Sequence, residues 1–299
     1  MDIDYIHEFV VLADTGNYME AADKLFLTQS SLTRHIQKLE ADLGVILFDR
    51  STRHIELNKY GKLFMPYARE ISQLQKEYTT TFCNEQNRER GMIRIGAIPV
   101  MAQYQITDIL ARFQKENRNY MLDIQEADSL KLIQMLRDEE IDFAVIRESD
   151  DASSSFHKIP ITQDTLAALM PAGHPLAGND HIELKQLYRD SFLLLGRDTF
   201  MYSLCVRECR SAGFEPHIAF TSNRVDNIIG LVSKGMGVGL LTKRPVMSAN
   251  HSEIAVVDIL PAITTTISLA YLPGKKLTAP QQQLVKLFES LSPHIYPAV

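Results

Sequence analysis

The chain has 299 residues, of which 45% are hydrophobic, and carries 31 Lys and Arg against 37 Asp and Glu, a formal net charge of −6. This length and apolar content favour a folded chain over a disordered one and provide for two or three domains with cores of their own. The charge does not exclude nucleic acid as a partner, because a small basic patch can lie on an acidic molecule.

The N-terminus opens with "MDIDYIHEFVVLADTG", in which acidic residues and no basic region precede the first apolar run. A secretory signal peptide is therefore not expected. No segment approaches the ~18 uncharged apolar residues that a membrane helix needs, so we expect no membrane partner. Three cysteines are too few for a secreted disulfide framework. Together these features predict a bacterial-type cytoplasmic protein.

Three short helices and a small hairpin are predicted over residues 4–57. Gly16 ends the first helix, and adjacent alanines in the second allow another helix to approach closely. The third helix begins in "TQSSLTRHIQKLEADLG" and ends at Gly44. After it, "VILFDRSTRHIEL" predicts a two-stranded wing. Apolar residues spaced by four, three and four form the buried side of the third helix: Leu32, Ile36, Leu39 and Leu43.

The opposite side of the third helix is polar, because Ser30, Thr33, Arg34 and Gln37 recur at helical spacing. In a helix-turn-helix, such a face enters the major groove, where hydroxyl, amide and guanidinium groups bond base edges and phosphates. A polar face on a surface helix is also often only solvated, and the helix alone does not decide between these interpretations.

Basic residues favour the DNA-reading interpretation, because localised positive charge is what phosphate binding requires. They fall in the third helix, the wing and the start of the next helix: Arg34, His35, Lys38, Arg50, Arg53, His54, Lys59 and Lys62. The acidic residues of the first helix, Glu8 and Asp14 among them, lie elsewhere in the sequence. We therefore expect a basic surface around the polar face.

A long helix is predicted from Asn58, a natural N-cap, to about residue 88. Pro66 inside this segment predicts a bend. Apolar residues repeat along it as in a coiled-coil seam: Tyr60, Phe64, Tyr67, Ile71, Leu74 and Tyr78. A second copy of the chain is the simplest partner for this seam, and pairing with the first helices of the same chain is the alternative.

From Ile93 onwards, strand and helix patterns alternate, which predicts an α/β architecture with largely parallel sheets. The expected strands are 93–97, 121–125, 142–146, 166–170, 192–195, 217–221, 237–242 and 266–272. A solute-binding or transport protein would show the same pattern, but the N-terminal segment and the missing signal peptide argue against it. No set of acid, base and nucleophile is found, so the alternative of an enzyme is not favoured.

Other motifs in this part of the chain have structural explanations. "KGMGVG" follows a helical pattern and leads into a strand, the reverse of a dinucleotide loop, so Gly235 is expected to end a helix. Cys205 and Cys209 allow a redox switch or half a metal site, but burial as small hydrophobic residues is favoured. His174 is expected in a turn. No metal or cofactor is therefore expected.

The stretch "FVVLADTGNYMEAADKLFLTQSSLTRHIQKLEADLGVILFDRSTRHIELNKYGK" resembles the winged helix-turn-helix of the LysR-type transcriptional regulators. The matches run in order and without gaps: Ala21, Ala22, Leu25, Gln29, Ser30, Leu32, Thr33, Ile36, Leu39, Glu40, Leu43, Gly44, Leu47, Phe48 and Arg50. "LNKYG" stands where the family often has "LTxAG", which leaves the helix cap to Asn58. The resemblance implies a sequence-specific transcription regulator that binds a double-stranded DNA operator. The expected DNA-binding residues are Gln29, Ser30, Ser31, Thr33, Arg34, Lys38, Arg50, Arg53 and His54.

The rest of the chain resembles the same family more loosely, through "MIRIGAIPVMAQYQITDILARFQKE", "RDEEIDFAVIR", "PAGHPLAG" and "VSKGMGVGLL". The resemblance implies two Rossmann-like α/β subdomains like those of a type 2 periplasmic-binding-protein fold, crossed by strands near "TLAALMP" and "TISLAYLP". The expected domains are 1–58 (winged helix-turn-helix), 59–89 (linker helix), 91–161 with 267–299 (first regulatory subdomain) and 162–266 (second). It also implies a homodimer through the linker helix, assembling to a homotetramer, and a small-molecule effector bound between the subdomains.

Ligands of open α/β sheets bind beyond the carboxyl ends of the strands. This rule predicts effector contacts from Pro99, Val100, Met101, Asp128, Ser129, Arg147, Phe200, Met201 and Asn223; simple loop packing is the alternative. Many family members have Ser or Thr where Val100 stands, and that hydroxyl helps to hold an effector carboxylate. Valine therefore predicts a less anionic or more apolar effector. Peroxide-sensing members place a reactive cysteine near the loop that reads "DTFMYS" here, so peroxide sensing by that route is not expected.

Overall fold

The computed structural model describes residues 2–49, 55–89, 91–149, 155–247 and 253–295, and within these the side chains of all but 88, 89, 149 and 291–295. The chain divides into two units, Met1–Glu85 and Gln86–Val299. Each unit has hydrophobic clusters of its own. None of the described helices is both long and apolar enough to cross a membrane.

The first unit begins with helices α1 (Ile3–Thr15), α2 (Tyr18–Lys24) and α3 (Gln29–Leu43). Gly16 and Gly44 lie at the ends of α1 and α3 with φ of 64° and 70°, which confirms the predicted helix ends. Strands β1 (Phe48–Asp49) and β2 (Glu56–Leu57) pair antiparallel as the base of the predicted wing.

The apolar side of α3 is buried as predicted, with Leu32, Ile36 and Leu39 at most 1% exposed and Leu43 packed against the same cluster. The carboxylate of Glu40, also buried, accepts a hydrogen bond from the Leu47 backbone N–H at 2.8 Å. This bond ties the end of α3 to the segment that enters the wing. It gives a structural reason for a glutamate at this point in the motif.

Helix α4 spans Lys59–Glu89, and the Asn58 side chain accepts hydrogen bonds from the N–H groups of Tyr60 at 2.8 Å and Gly61 at 3.0 Å. The predicted cap is therefore confirmed. A Cβ at Gly61 would lie 2.2 Å from the carbonyl oxygen of Leu47, so glycine alone lets α4 start this close to the wing segment. Pro66 lies inside the helix, and the bend expected there stays a prediction.

The predicted apolar seam of α4 serves two surfaces. Phe64 and Ile71 pack against the core of the first unit, and the ring of Phe64 lies 5.2 Å from that of Phe9. The remaining seam residues are exposed: Tyr60, Tyr67, Leu74 and Tyr78. Pairing within the chain thus accounts for part of the seam, while the exposed part stays available for a second chain.

The described part of the second unit contains all eight strands expected from the sequence and two that were not expected, the two-residue His181–Ile182 and the six-residue Ile254–Ile259. In chain order they are β3 (Met92–Ala97), β4 (Met121–Glu126), β5 (Phe143–Ser149), β6 (His157–Pro171), β7 (His181–Ile182), β8 (Ser191–Leu195), β9 (His217–Ser222), β10 (Val238–Thr242), β11 (Ile254–Ile259) and β12 (Thr264–Tyr271). The helices are α5 (Ile106–Glu116), α6 (Ser129–Arg137), α7 (Phe200–Ser211), α8 (Val225–Ser233), α9 (Lys243–Met247) and α10 (Ala279–Ile295).

The strands run in the order β4-β3-β5-β12-β6-β10-β8-β9, with β11 beside β6. Pairing is parallel among β3, β4 and β5 and among β8, β9 and β10, while β6 and β12 pair antiparallel to their neighbours. Each end of the sheet carries its own cluster of buried residues. This arrangement of two α/β halves confirms the expected fold class.

The chain crosses between the two halves twice. Strand β6 is 15 residues long: its residues 157–165 pair with β12, and its residues 166–171 pair with β10 and β11. The return crossing lies between β11 and β12, where the Leu166 N–H donates to the carbonyl oxygen of Ile263 at 2.9 Å. It therefore precedes the second predicted crossing strand, which belongs wholly to the first half.

The remaining motifs have the structural roles expected of them. Gly235, with φ of 78°, ends α8 and donates its N–H to Val232 O at 2.9 Å. His174 lies in a turn, with its Nε2 at 3.2 Å from Asp190 Oδ1. Cys205 and Cys209 are buried on α7, and burial raises the pKa of both thiols, that of Cys209 to about 12. Within the described residues, no group of three or more His, Cys, Asp or Glu is arranged to hold a metal ion.

Candidate functional site

The polar face of α3 is open to solvent. Gln29, Ser30, Arg34 and Lys38 are exposed, and Ser31 and Thr33 are half-buried. Across the described part of the chain, the side chains of Gln29 and Arg34 make no hydrogen bond or ion pair. Their donors and acceptors are therefore available to an external partner.

The hydroxyl groups at the start of α3 are held by the helix cap. Thr28 Oγ1 accepts a hydrogen bond from the Ser31 N–H at 3.1 Å and lies 2.9 Å from Ser31 Oγ and 3.1 Å from Ser30 Oγ. One turn later, the Thr33 hydroxyl donates to the Gln29 carbonyl at 2.8 Å. The cap fixes the first turn of α3, from which the predicted DNA contacts project.

The predicted separation of acidic from basic residues is wrong at one position. Glu8, 7% exposed, extends from α1 to His35 on α3, where Glu8 Oε2 and His35 Nδ1 are 2.9 Å apart. The Tyr5 ring stacks on His35 with centroids 4.4 Å apart. Burial raises the pKa of Glu8 despite the nearby His35. His35 is therefore part of the packing between α1 and α3, because helices distant in sequence meet there.

Phe26, in the turn before α3, is a feature that the sequence pattern did not single out. Its side chain is 96% exposed and its φ is 55°, in the left-handed region that non-glycine residues rarely adopt. An apolar side chain beside a major-groove helix can contact the methyl group of thymine. A single exposed aromatic residue in a turn has no periodic pattern through which it might be recognised.

The wing residues Arg50, Arg53 and His54 lie outside the described residues. The strands on either side of them are described, with Phe48 paired to Leu57 and Asp49 to Glu56. Their expected contacts with the DNA backbone therefore stay predictions.

The second unit contains a cavity of about 430 Å³ at the carboxyl ends of strands from both halves of the sheet. Eight of the nine residues predicted to contact an effector line it, the exception being Met101, which packs against the core of the first half. Met101 is directed there by its position at the start of a short helical turn, where its carbonyl accepts from Tyr104 and Ile106. Further lining residues that were not predicted are Ile98, Glu126, Ala127, Lys131, Leu195, Asp198, Thr199, Val225, Leu241, Thr242 and Pro245.

Arg147, at one wall of the cavity, is 4% exposed and bonded on several sides. Its guanidinium donates to Thr265 Oγ1 at 2.8 Å and to Tyr104 Oη at 2.6 Å. Its backbone N–H donates to the hydroxyl of Ser129 at 2.9 Å. The charge is thus held by neutral acceptors of the protein itself.

The bonds of Arg147 continue into the crossing between the halves. Tyr104 Oη donates to Asp164 Oδ2 at 2.5 Å and lies 3.2 Å from Thr242 Oγ1 on β10. Asp164, on β6, also accepts from the Arg244 N–H at 3.0 Å. Burial raises the pKa of Tyr104 to about 12, so its hydroxyl remains a proton donor at neutral pH. These residues form a polar network that joins both halves beneath the cavity.

A second link between the halves crosses the mouth of the cavity. Asp128 caps α6 by accepting from the Leu130 N–H at 2.9 Å, and the same Oδ1 accepts from the Phe200 N–H of α7 at 3.0 Å. Thr199 in turn caps α7, with its Oγ1 accepting from the Tyr202 N–H at 3.1 Å. The N-terminal ends of two helices from different halves therefore share one carboxylate.

Other polar side chains at the cavity have no such bonds. Glu126, Lys131, Asp198 and Asn223 are exposed, and none of them bonds to another described residue. No histidine or cysteine belongs to the described lining of the cavity. The arrangement is suited to bind a small molecule and provides no nucleophile with an adjacent base.

Two family models match the chain and together cover most of it. The model described as "Bacterial regulatory helix-turn-helix protein, lysR family" matches residues 3–62, and that described as "LysR substrate binding domain" matches residues 86–292. The first match contains α3 and the second contains every lining residue of the cavity.

Individual proteins match over nearly the full length. The HTH-type transcriptional regulator YybE of Bacillus subtilis is 26% identical over 282 residues, 93% of this chain and 94% of the relative. A probable hydrogen peroxide-inducible genes activator of Mycobacterium leprae is 26% identical over 289 residues, 96% of this chain and 93% of the relative. The crystal structure of HinK, a LysR family transcriptional regulator from Pseudomonas aeruginosa, aligns with a TM-score of 0.57 at 26% identity, covering 98% of this chain and 99% of that one.

Proposed function

The chain belongs to the LysR family of DNA-binding transcription regulators with an effector-binding domain, and on that premise we propose which of its residues read DNA and which hold the effector. The exposed start of α3 enters the major groove of a double-stranded operator. A small molecule in the cavity of the second unit controls this binding. The open polar face of α3, with Gln29 and Arg34 unbonded, is the observation that carries the proposal.

Each reading residue is assigned the contact for which its side chain is suited. Gln29 bonds base edges through its amide, and Arg34 bonds guanine with two parallel hydrogen bonds. The hydroxyls of Ser30, Ser31 and Thr33 contact phosphates or base edges near the helix start. Lys38, farther along the helix, neutralises a phosphate. In the wing, the proposed contacts with the DNA backbone come from Arg50, Arg53 and His54.

Genomic selection tests the DNA-binding proposal. Purified protein is mixed with sheared DNA of its source genome, including the region upstream of its own gene, and bound fragments are sequenced. The affinity for the best fragment is then measured by fluorescence anisotropy at 50 mM and 200 mM salt. We expect specific binding that weakens steeply with salt, because phosphate contacts release counterions. If no fragment is enriched over competitor DNA, the proposed reading function is wrong.

The effector site is proposed to comprise the predicted residues that line the cavity. These are Pro99, Val100, Asp128, Ser129, Arg147, Phe200, Met201 and Asn223. Regulatory subdomains of 91–161 with 267–299, and of 162–266, close around it. In the sequence they follow a DNA-binding head of residues 1–58 and a linker of 59–89. The two links across the halves, through Tyr104 and Asp128, support a role in coupling effector binding to the relative position of the halves.

A thermal-shift screen of metabolites tests the site, because a ligand that binds the native state raises its stability. Val100→Trp fills the cavity and should abolish the shift that a binder causes. Tyr188→Trp, an exposed position outside the cavity, is the control and should retain the shift. A shift that persists in Val100→Trp and in Asp128→Ala alike would show that the cavity is misplaced.

The exposed part of the α4 seam supports a homodimer, with a homotetramer built from two such dimers. Tyr67 and Leu74 are 65% and 63% exposed and lie about two turns apart on one side of the helix. Sedimentation velocity tests this proposal: Leu74→Glu should weaken dimerisation, whereas Gln73→Glu, beside it on the helix, should not. Equal sedimentation of both variants and the wild type would remove α4 from the interface.

The proposed function also determines where the chain acts and what chemistry it needs. A regulator of transcription acts on chromosomal DNA, so we place the chain in the cytoplasm. Its relatives are transcriptional regulators, and the absence of a nucleophile with an adjacent base among the described cavity residues supports a binding role without catalysis. Peroxide sensing at the start of α7 is not proposed, because Phe200 and Met201 stand there and the two cysteines of that helix are buried.

A further inference from the structure

We infer that the effector is an organic cation, an amine or guanidine attached to an apolar body, and not a carboxylate. The inference rests on the proposal that the cavity of about 430 Å³ is the effector site. That volume lies within the range of cavities that bind small molecules. The charge of the ligand follows from which polar groups at the cavity are already bonded and which are not.

The positive charge of Arg147 is largely engaged within the protein. The residue is 4% exposed, and both terminal nitrogens of its guanidinium donate to Thr265 and Tyr104, at 2.8 and 2.6 Å. Tyr104 is bonded in turn to Asp164, whose carboxylate supplies negative charge to this network. A ligand carboxylate would have to reach the remaining N–H groups of an almost fully buried residue and would compete with these bonds.

The N-terminal ends of the helices are occupied as well. Asp128 accepts from Leu130 at the start of α6 and from Phe200 at the start of α7, and Thr199 accepts from Tyr202. Asp128 thus takes the place that a ligand anion would occupy at the positive end of α7. A ligand carboxylate would have to displace it and would remain beside its negative charge.

The neighbouring residues offer few donors for an anion. Val100 lines the cavity with an apolar side chain and no hydroxyl. Ser129 is 1% exposed and its hydroxyl accepts the N–H of Arg147 at 2.9 Å, so its one donor is the O–H of a buried side chain. On this side of the cavity, the groups that could bind a carboxylate are therefore either buried or replaced by carbon.

The unbonded charges at the cavity are mainly negative. Glu126 and Asp198 line it from opposite halves, and within the described chain neither carboxylate has a hydrogen bond or an ion pair. Lys131 is the one lining cation without a bond to another described residue. Two carboxylates facing one cavity favour a positively charged group between them.

The rest of the lining determines the body of the ligand. Its apolar side chains come from both halves: Ile98, Val100, Leu195, Phe200, Met201, Val225 and Leu241. The ring of Phe200 additionally suits a cation, because an ammonium group is attracted to the face of an aromatic ring. The cavity therefore combines an apolar interior with an acidic rim.

The test compares two probes of similar size and opposite charge, 2-phenylethylamine and 3-phenylpropanoate, by thermal shift on the full-length protein. We expect the amine to raise the melting temperature and the carboxylate at equal concentration not to do so. In the double variant Glu126→Gln/Asp198→Asn the shift by the amine should fall by more than half, whereas Glu116→Gln, outside the cavity and paired with Arg112, should retain it.

Three results would overturn the inference: a larger shift with the carboxylate, an unchanged amine shift in the double variant, or no shift with either probe. The regulator proposal is judged separately, by operator binding without any probe. A carboxylate shift that Val100→Trp abolishes would confirm the cavity as the binding site and refute only the assignment of charge. Failure to bind any operator would refute the regulator proposal whatever the probes do.

Discussion

The face of α3 and the cavity of the second unit use polar residues in opposite ways. On α3, Gln29 and Arg34 project into solvent without a described partner, so a DNA contact breaks no internal bond. At the cavity, Arg147 and Asp128 are bonded to groups on other strands and helices. A surface that reads DNA needs polar side chains without internal hydrogen bonds. A ligand-controlled switch instead needs hydrogen bonds that hold the two halves in one arrangement, which a ligand can then change.

The largest effect is expected where charges of the second unit are bonded most completely. Asp142, 7% exposed, accepts from the Arg94 backbone N–H at 2.9 Å and from Lys275 Nζ at 2.9 Å. Its Oδ1 also lies 3.3 Å from a guanidinium nitrogen of Arg94. Asp142→Asn would leave both cations without a counter-charge, and breaking such a buried set costs about 3 kcal/mol or more. Urea unfolding of wild type and variant measures the difference.

The pH dependence of this variant gives a further check. Burial alone would raise the pKa of Asp142, but Lys275 and Arg94 outweigh it and hold the pKa below 3.8. The stabilisation by Asp142 is therefore present above pH 3.8 and is lost as the pH falls through the lower pKa of the folded state. The unfolding curves of the wild type and Asp142→Asn should therefore converge in acid. Asp226→Asn, an exposed partner of Arg224, is the control and should cost less than about 0.5 kcal/mol. Equal losses in both variants would contradict the role assigned to burial.

On the reading face, removal of one free group should affect DNA binding and not stability. We expect Arg34→Ala to weaken operator binding by about 1–3 kcal/mol, because a bidentate hydrogen-bonded contact to guanine is lost. Arg69→Ala removes an exposed arginine of the same unit that pairs with Asp14 at 2.7 Å, and serves as the control. Anisotropy with the selected operator measures both. Unchanged affinity in Arg34→Ala would remove this residue from the reading face.

A smaller effect is expected from the network between the halves. Tyr104→Phe removes the hydroxyl between Arg147 and Asp164 and should cost about 1–2 kcal/mol. The pKa of Tyr104 is raised from 10 to about 12, so the neutral hydroxyl stabilises the fold fully below pH 10 and this contribution is lost as the pH rises to 12. The stability difference between wild type and variant should therefore shrink over that interval. A difference that stays constant would show that Tyr104 is not held in this way.

The smallest effect concerns the thiols. Cys83 is exposed, whereas Cys205 and Cys209 are buried in the folded chain and their pKa values are raised by burial. At pH 8, a thiol reagent should therefore modify one cysteine per folded chain, and all three after denaturation. Mass spectrometry locates the label. Modification of Cys205 or Cys209 before unfolding would reopen a redox role at the second unit.

The same contrast explains what could be predicted from the sequence. The two sides of α3 follow from one helical period, so Leu32 and Arg34 were assigned to opposite faces without tertiary information. Eight of the nineteen residues that line the cavity were predicted because strand ends of a parallel sheet meet at one edge, a rule that Ser129 and Asn223 obey. The first part of β6 was not predicted, since its pattern is interrupted by Pro160.

Contacts between distant segments were beyond such rules. Tyr104 and Asp164 are 60 positions apart, and Tyr104 and Thr242 are 138 apart, and none of them belongs to a local motif. The contact of Glu8 with His35 overturned a charge argument made along the chain, because two helices bring these residues together. Local periodicity predicts which side of an element is buried, but the partners of a buried polar group depend on how elements pack.

In the proposed function, ligand binding in the cavity controls DNA binding by α3. The most direct test is a footprint of the selected operator, recorded with and without a ligand that the thermal-shift screen has identified, for wild type and Val100→Trp. We expect the ligand to change the affinity or the length of the footprint in the wild type and to leave the footprint of Val100→Trp unchanged. A ligand that binds the cavity but alters neither, or that alters the footprint equally in the variant, would contradict it.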